Sequence, residues 1–303
     1  MEAARGVMMD PEGERLTISH GSNPSLGIFA RNDYSLAGED GIIEHILEVL
    51  PPVADRWCVE FGAWDGEHLS NTAALIKYRN YSAVLIEPDP SRFKRLKIKL
   101  SQYTKVICQQ GFVEFDPPDS LDERLAQTAI PHEFDLLSID IDGNDYHVWA
   151  ACKCYRPRVV VIEFNPTIAD EVDYVQPRDK SVKRGCSAAA LTRLGDTKGY
   201  KAVAITTNNV IFVDEAYYGL FKLSDNSVPT LRRDRHLVTH LFFGYDGTVI
   251  TSGNSVIPWH QIPISSVWLQ HLPRWLRKYP DDYNPIQKIM YRCLRKLWSL
   301  VVR

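Results

Sequence analysis

Two carboxylates and two glycines crowd one short turn, Glu60-Phe61-Gly62-Ala63-Trp64-Asp65-Gly66, which continues the apolar run RWCVEF. Glycine lets a backbone approach a ligand closely. A dinucleotide-binding turn would carry a third glycine and seat a pyrophosphate on a helix N-terminus. Here Glu60 and Asp65 would repel a pyrophosphate, and they suit a ligand with cationic centres and no phosphate. S-Adenosylmethionine, with an ammonium and a sulfonium, has that chemistry. A third acid, Glu87, closes the run SAVLIE, 25 residues after Gly62. An acid at the end of a second strand is placed to accept hydrogen bonds from both ribose hydroxyls of a nucleoside. Gln110, in Gln109-Gln110-Gly111-Phe112 after a third apolar run, would lie near the amino edge of the adenine.

A second set of polar groups follows two later apolar runs. FDLLSID leads into Asp140-Ile141-Asp142-Gly143-Asn144-Asp145, and strand alternation would put Asp140 and Asp142 on one face. Asp140 joins the donor-binding set. Asp142 is the first candidate for the general base that takes the proton of an acceptor hydroxyl, and His147 is the second. RVVVIEF leads into Glu163-Phe164-Asn165-Pro166, where Glu163 and Asn165 share a face in the same way. Asp142, Glu163 and Asn165 form an all-oxygen set that suits a hard cation, which would hold the acceptor hydroxyl and lower its pKa. His68, just after the first turn, is placed to contact donor or acceptor. The segment 170–185 carries Arg178, Lys180, Lys183 and Arg184. It leaves the fifth strand, so it would cover the acceptor, and its cations suit an anionic sugar or a phosphate.

These groups need a scaffold, and the hydrophobic pattern describes one. Strands are expected at 56–61, 82–87, 105–109, 134–140 and 158–164, with helices at 38–50, 70–78, 90–100, 120–128, 145–151 and 186–199. Alternation of strand and helix means parallel βαβ units in a doubly wound α/β sheet. Strands at 200–205 and 210–215 are joined by TTNN alone, which is too short for a parallel crossover, so they must form an antiparallel edge hairpin. The result is a mostly parallel seven-stranded sheet. Ligands of such sheets bind at the carboxyl ends of the strands, where every acid named above falls.

The ordered set EFGAWDG, LIEPDPSRF, FDLLSIDIDGNDYHVW and VVVIEFNP resembles FkbM-type S-adenosylmethionine-dependent methyltransferases. GEDGIIEHIL before it and GYKAVAITTNNVIFV after it fit related members, so the resemblance spans roughly residues 34–215. It implies a class I methyltransferase fold, Rossmann-like, and O-methylation, often of sugars in polysaccharides, glycolipids or natural products. The family typically has DxEG after the fourth strand. Here Asp140-Ile141-Asp142-Gly143 puts Asp where the family has Glu, which shortens the acid's reach. Some sugar and catechol O-methyltransferases hold a divalent metal near this point, so the resemblance points to Mg2+.

Composition bounds the rest. A chain of 303 residues, 45% hydrophobic and 24% charged, is neither disordered nor a disulfide scaffold. A net charge of −3 argues against a nucleic-acid partner. There is no run of 18 apolar residues and no apolar leader in MEAARGVMMDPEGER, and six cysteines make no CxxC pair. Those features lead to the expectation of free thiols in a reducing, cytoplasmic compartment. The expected layout is an arm over 1–33, a catalytic domain over 34–220 and an extension over 221–303. Residues 272–303 carry +6, which leaves −9 on the rest. Within them NPIQKIMYRCLRKLWSLVVR reads as a basic amphipathic helix. Such a helix docks on its own domain, pairs with a second subunit in a homo-oligomer, or lies on the inner face of a membrane. Two other readings compete for the fold: a nicotinamide-dependent oxidoreductase, disfavoured by Asp65 and the missing third glycine, and a non-catalytic adaptor at a membrane or glycan, disfavoured by the intact acids.

Overall fold

A computed structural model describes residues 25–301, so most of the arm expected at 1–33 lies outside the described residues. Its last residues form a 3-10 turn, Leu26–Phe29, with Leu26 buried. The chain then runs through α1 (Glu39–Val49), β1 (Trp57–Phe61), α2 (Ala73–Arg79), β2 (Ser82–Glu87), α3 (Pro90–Lys99) and β3 (Val106–Gln110). It continues with α4 (Leu121–Ala126), β4 (Glu133–Ile139), α5 (Asp145–Ala151), β5 (Arg156–Glu163), α6 (Ala188–Lys198), β6 (Tyr200–Ile205) and β7 (Asn209–Asp214). Continuous apolar runs such as AVLI and VVVI become strands because helices cover both faces of the sheet. Phe61, Ile86, Ile139, Trp149 and Ile162 pack on one side, and Ile43, Ile46, Cys58, Leu85 and Leu136 on the other.

The sheet order is β3-β2-β1-β4-β5-β7-β6. Strands β1 to β5 pair in parallel, and β7 runs antiparallel to both neighbours. That order with that one reversed strand defines the class I methyltransferase fold. The winding changes direction between β1 and β4, so a crevice opens above their carboxyl ends. Helix α3 is set at the mouth of the crevice by its cap. Asp89 accepts from the Ser91 and Arg92 amides, and Pro90 occupies the first helical turn.

The packed unit runs past the boundary expected at residue 220. Phe221, Val228 and Leu231 are buried in the cores, the last two on the short α7–α8 segment (α7, Glu215–Tyr218; α8, Val228–Leu231). Arg232 behind them is only 1% exposed. Its guanidinium pairs with Asp170 at 2.8 Å and donates to the carbonyls of Pro166, Ile168 and Asp234. It thereby fastens the start of the segment that covers the crevice. Without Arg232 the buried Asp170 keeps only the exposed Arg235 as partner, at 2.7 Å, and three carbonyls lose their donor. Arg232→Ala is therefore expected to lower unfolding stability by about 3–5 kcal/mol, read as a lower urea midpoint with an unchanged slope.

The segment 236–245, which pattern alone leaves as helix or strand, is a strand. β8 (Thr239–Phe243) pairs antiparallel with β9 (Val249–Gly253), and β10 (Val256–Ile257) with β11 (Ile262–Pro263). A final helix, α9 (Pro285–Val301), follows. Among the described residues no helix is long and apolar enough to cross a membrane. The six cysteines are free thiols.

Candidate active site

A cavity of about 490 Å3 opens over the carboxyl ends of β1, β2, β4 and β5. Gly62 makes it possible. It has φ +76°, and a Cβ there would sit 1.9 Å from the Asp140 carbonyl oxygen, so only glycine lets the ends of β1 and β4 close together. Gly66 has a different task from the expected ligand contact. Its missing Cβ makes room for Leu96 and Leu100 beside α3.

Two of the expected donor ligands are corrected by their partners. Glu60 is buried and accepts from Ser70 Oγ, Thr72 Oγ1 and the Asn71 amide, so it braces the approach to α2 from beneath the cavity. Burial pushes its carboxyl up, and those donors pull it back. Asp65 accepts from the Glu67 and His68 amides and pairs with Lys99 at 2.9 Å. Both acids satisfy backbone N–H groups of their own loop, a pull that local spacing does not reveal. Trp64, between them, lines the cavity instead. Its ring packs under the Arg92 guanidinium at 3.9 Å and against the edge of His68.

Glu87 lies where the sequence puts it. It is 1% exposed, lines the cavity, and accepts from the Trp64 amide at 2.9 Å and the Asp89 amide at 2.8 Å. Two amides use half of the roughly four lone-pair positions of a carboxylate and fix its orientation. Gln110, by contrast, is exposed and does not line the cavity, whereas Gly111 and Phe112 beside it do.

The acids after β4 and β5 converge, though by another route than alternation. β4 ends at Ile139, and Asp142 takes a left-handed backbone with φ +56°. Asp145 imposes this bend by accepting from the Ile141 and Gly143 amides, both at 2.9 Å. The bend returns Asp142 to its neighbours, and the carboxylates of Asp140, Asp142 and Glu163 lie within 4.8 Å of one another. Asp140 and Glu163 are hydrogen-bonded to each other. Burial, then the charges of Asp145, Asp142 and Glu60, pushes Asp140 up to about 7. Burial and the Asp140 charge push Glu163 up as well. Crowded carboxyls cannot all ionise, so this pair holds a proton at neutral pH.

Asn165 and His147 are drawn elsewhere. Asn165 Oδ1 accepts from the Thr167 amide and hydroxyl, and its Nδ2 donates to the Arg184 carbonyl. Asp140 stands in its place in the oxygen set. His147 Nε2 contacts the Gln176 carbonyl at 2.9 Å. A carbonyl only accepts, so that nitrogen carries the proton and His147 pins the covering segment. His68 stays at the rim of the cavity. Of the four cations in the covering segment, Lys180 and Lys183 line the cavity and Arg184 an adjoining recess of about 330 Å3. Arg178 pairs with Asp116 and lies over Phe115.

Three lining residues carry no local signal. Glu39, at the start of α1, is 1% exposed and accepts from Thr206 Oγ1, the Ala37 amide and Asn209 Nδ2. Asn209 Oδ1 is buried with no hydrogen-bond partner. Trp259 comes from a 3-10 turn between β10 and β11, is 62% exposed, and lines both cavity and recess. A tryptophan in a segment without periodicity was the one available hint.

No protein-family model matches the chain, and no curated protein matches it in sequence. Several solved structures are similar to it. The N-terminal domain of EvdMO1, crystallised in the presence of SAH and D-fucose, is 13% identical over 58% of this chain and 82% of that one, with a TM-score of 0.39. A putative caffeoyl-CoA O-methyltransferase from Staphylococcus aureus is 15% identical over 58% and 82%, with a TM-score of 0.36. The CurJ carbon methyltransferase is 11% identical over 57% and 52%, with a TM-score of 0.39.

Proposed function

We propose that the chain is an S-adenosylmethionine-dependent O-methyltransferase of the FkbM type that methylates a sugar hydroxyl. One observation carries this reading: a single cavity is lined by the buried carboxylate that closes β2 and by the proton-sharing pair that closes β4 and β5. The donor, when bound, supplies a methyl group already activated on a sulfonium. The chain's work is then to hold, orient and remove a proton. Glu87 accepts from the ribose hydroxyls, and the exposed ring of Phe112 offers a face to the adenine. The acidic surroundings exclude a pyrophosphate and favour a cation. On the acceptor side an alcohol attacks poorly while it keeps its proton; Asp140, expected in the donor-binding set, instead forms with Glu163 a base tuned near neutral pH, the role expected of Asp142. Asp142 completes an oxygen set that suits Mg2+. Lys183 at the wall favours an acceptor that carries an anionic group, with Lys180 shared with Glu114 at 3.7 Å.

Trp259 presents an apolar ring face to a sugar. Trp259→Ala is expected to raise the acceptor KM about tenfold, the equivalent of roughly 1.4 kcal/mol, and to leave the dissociation constant of S-adenosylhomocysteine unchanged. The reading as a whole is tested with donor labelled in its methyl group and a panel of neutral and anionic sugars, with and without Mg2+. Label recovered as a sugar methyl ether is the expected result. Wild-type protein that binds no S-adenosylhomocysteine by calorimetry, with acceptors present or absent, overturns it.

A further inference from the structure

Exposed apolar side chains are concentrated at the carboxyl end of the chain. Of the 27 large hydrophobic residues exposed among the described residues, 17 lie between Leu241 and Leu300. Five of them are on α9. Ile286, Ile289, Met290, Cys293, Leu297 and Leu300 recur at the three- and four-residue steps of one helix face and are all exposed, Ile286 at 72% and Leu300 at 69%. The helix is attached by a different side. Gln287 is buried and bonds the Trp275 carbonyl, and Tyr291 packs on Tyr283. Of the three placements open to α9, docking of the apolar face on its own domain is not what the structure shows, because the attachment uses the flank and leaves the stripe bare.

We propose that this stripe docks on an anionic lipid surface, with the helix lying in the plane of the interface. Charge selects the occupant. By helical spacing Arg292 and Lys296 border the stripe beside Ile289, Lys288 and Arg295 lie on the far side, and α9 contains no acidic residue. Cations bordering an apolar face meet lipid phosphates while the apolar side chains enter the acyl boundary. A second copy of the chain fits less well, since α9 has no acidic residue to pair with the cations that would border such a seam. The acidic balance of the remaining chain, −9, would be repelled by such a surface and keeps the contact confined to the +6 terminus. Exposed Trp268 and Tyr245 belong to the same terminal unit, whose β8–β9 turn is tied to the 265–272 segment through Gln270 and Leu272. Such aromatic side chains favour the headgroup level.

The test uses the full chain with vesicles of phosphatidylcholine, alone or mixed with phosphatidylglycerol, in a flotation assay at low and high salt. Flotation with the mixed vesicles only, weakened by salt, is expected. Replacing Lys288, Arg292, Arg295 and Lys296 by Gln should reduce partitioning more than a hundredfold, at about fivefold per cation. Ile289→Glu with Leu297→Glu should abolish it without moving the thermal midpoint, since neither side chain packs in the core. Absence of flotation with mixed vesicles overturns the proposal. So does flotation untouched by the Glu pair, or light scattering that shows a dimer which the Glu pair dissociates. None of these readouts depends on methyl transfer, so the proposal and the enzymatic reading fail separately.

Discussion

Glu87→Gln is expected to weaken S-adenosylhomocysteine binding about a hundredfold or more. The substitution keeps the size of the side chain and changes two things. The charge is lost, and one oxygen becomes an amino group facing an amide donor. Hydrogen bonds to a charged acceptor contribute about 1.5–3 kcal/mol each. Two ribose hydroxyls then account for at least about 3 kcal/mol, a factor near 10² in affinity. The fold is expected to tolerate the change at modest cost. Either the Trp64 or the Asp89 amide loses its acceptor, which lowers stability by about 1–3 kcal/mol. Calorimetric titration of both proteins, with a thermal melt as control, separates the two effects. A variant that binds as tightly as wild type removes Glu87 from the donor site.

The Asp140–Glu163 pair yields the other large effect. Asp140→Asn is expected to lower kcat about 10²–10⁴-fold, the range attributed to a positioned base, with little change in donor affinity. The wild-type rate should also report the pair. Its base form is the deprotonated one, and burial with neighbouring acids raises Asp140 to about 7. The rate should therefore rise through about pH 7 and be lost as pH falls below it. Asp142→Asn removes one of the charges that raise Asp140 and should shift that limb to lower pH. Mg2+ should shift it the same way, since a divalent cation stabilises both carboxylates. Stability has the opposite sign. The folded state holds a proton that the unfolded chain has already released above the ordinary carboxyl range. The pair's contribution is thus most favourable in acid and declines as pH rises toward about 7. A flat rate profile from pH 6 to 8 would remove the pair from proton transfer.

Much of this site is legible in the sequence, because strand ends are legible. Apolar runs bounded by Gly, Pro and Asp mark where each strand stops, and a parallel sheet delivers every such stop to one edge. Glu87, Asp140, Asp142 and Glu163 were placed on that logic, and all four line one cavity. The logic failed where a side chain had a nearer partner. Glu60, Asp65 and Asn165 look outward-facing by position, yet each is consumed by backbone N–H groups or hydroxyls within a dozen residues. His147 was expected near the acceptor, and a carbonyl 29 residues away holds it.

By itself the sequence determined the kind of sheet and the edge on which chemistry occurs. Period and linker length are local properties, and four residues between the last two strands force an antiparallel pair. Tertiary structure alone decided which acids share a proton and which residues wall the cavity. Asp142 meets Glu163 only because Asp145 bends the intervening loop into a left-handed turn. Glu39, Asn209 and Trp259 join the site from segments up to 220 residues apart. The physical reason is that spacing along the chain sets an address on an element, whereas the direction of a side chain is set by whichever donor, acceptor or packing partner reaches it first in space.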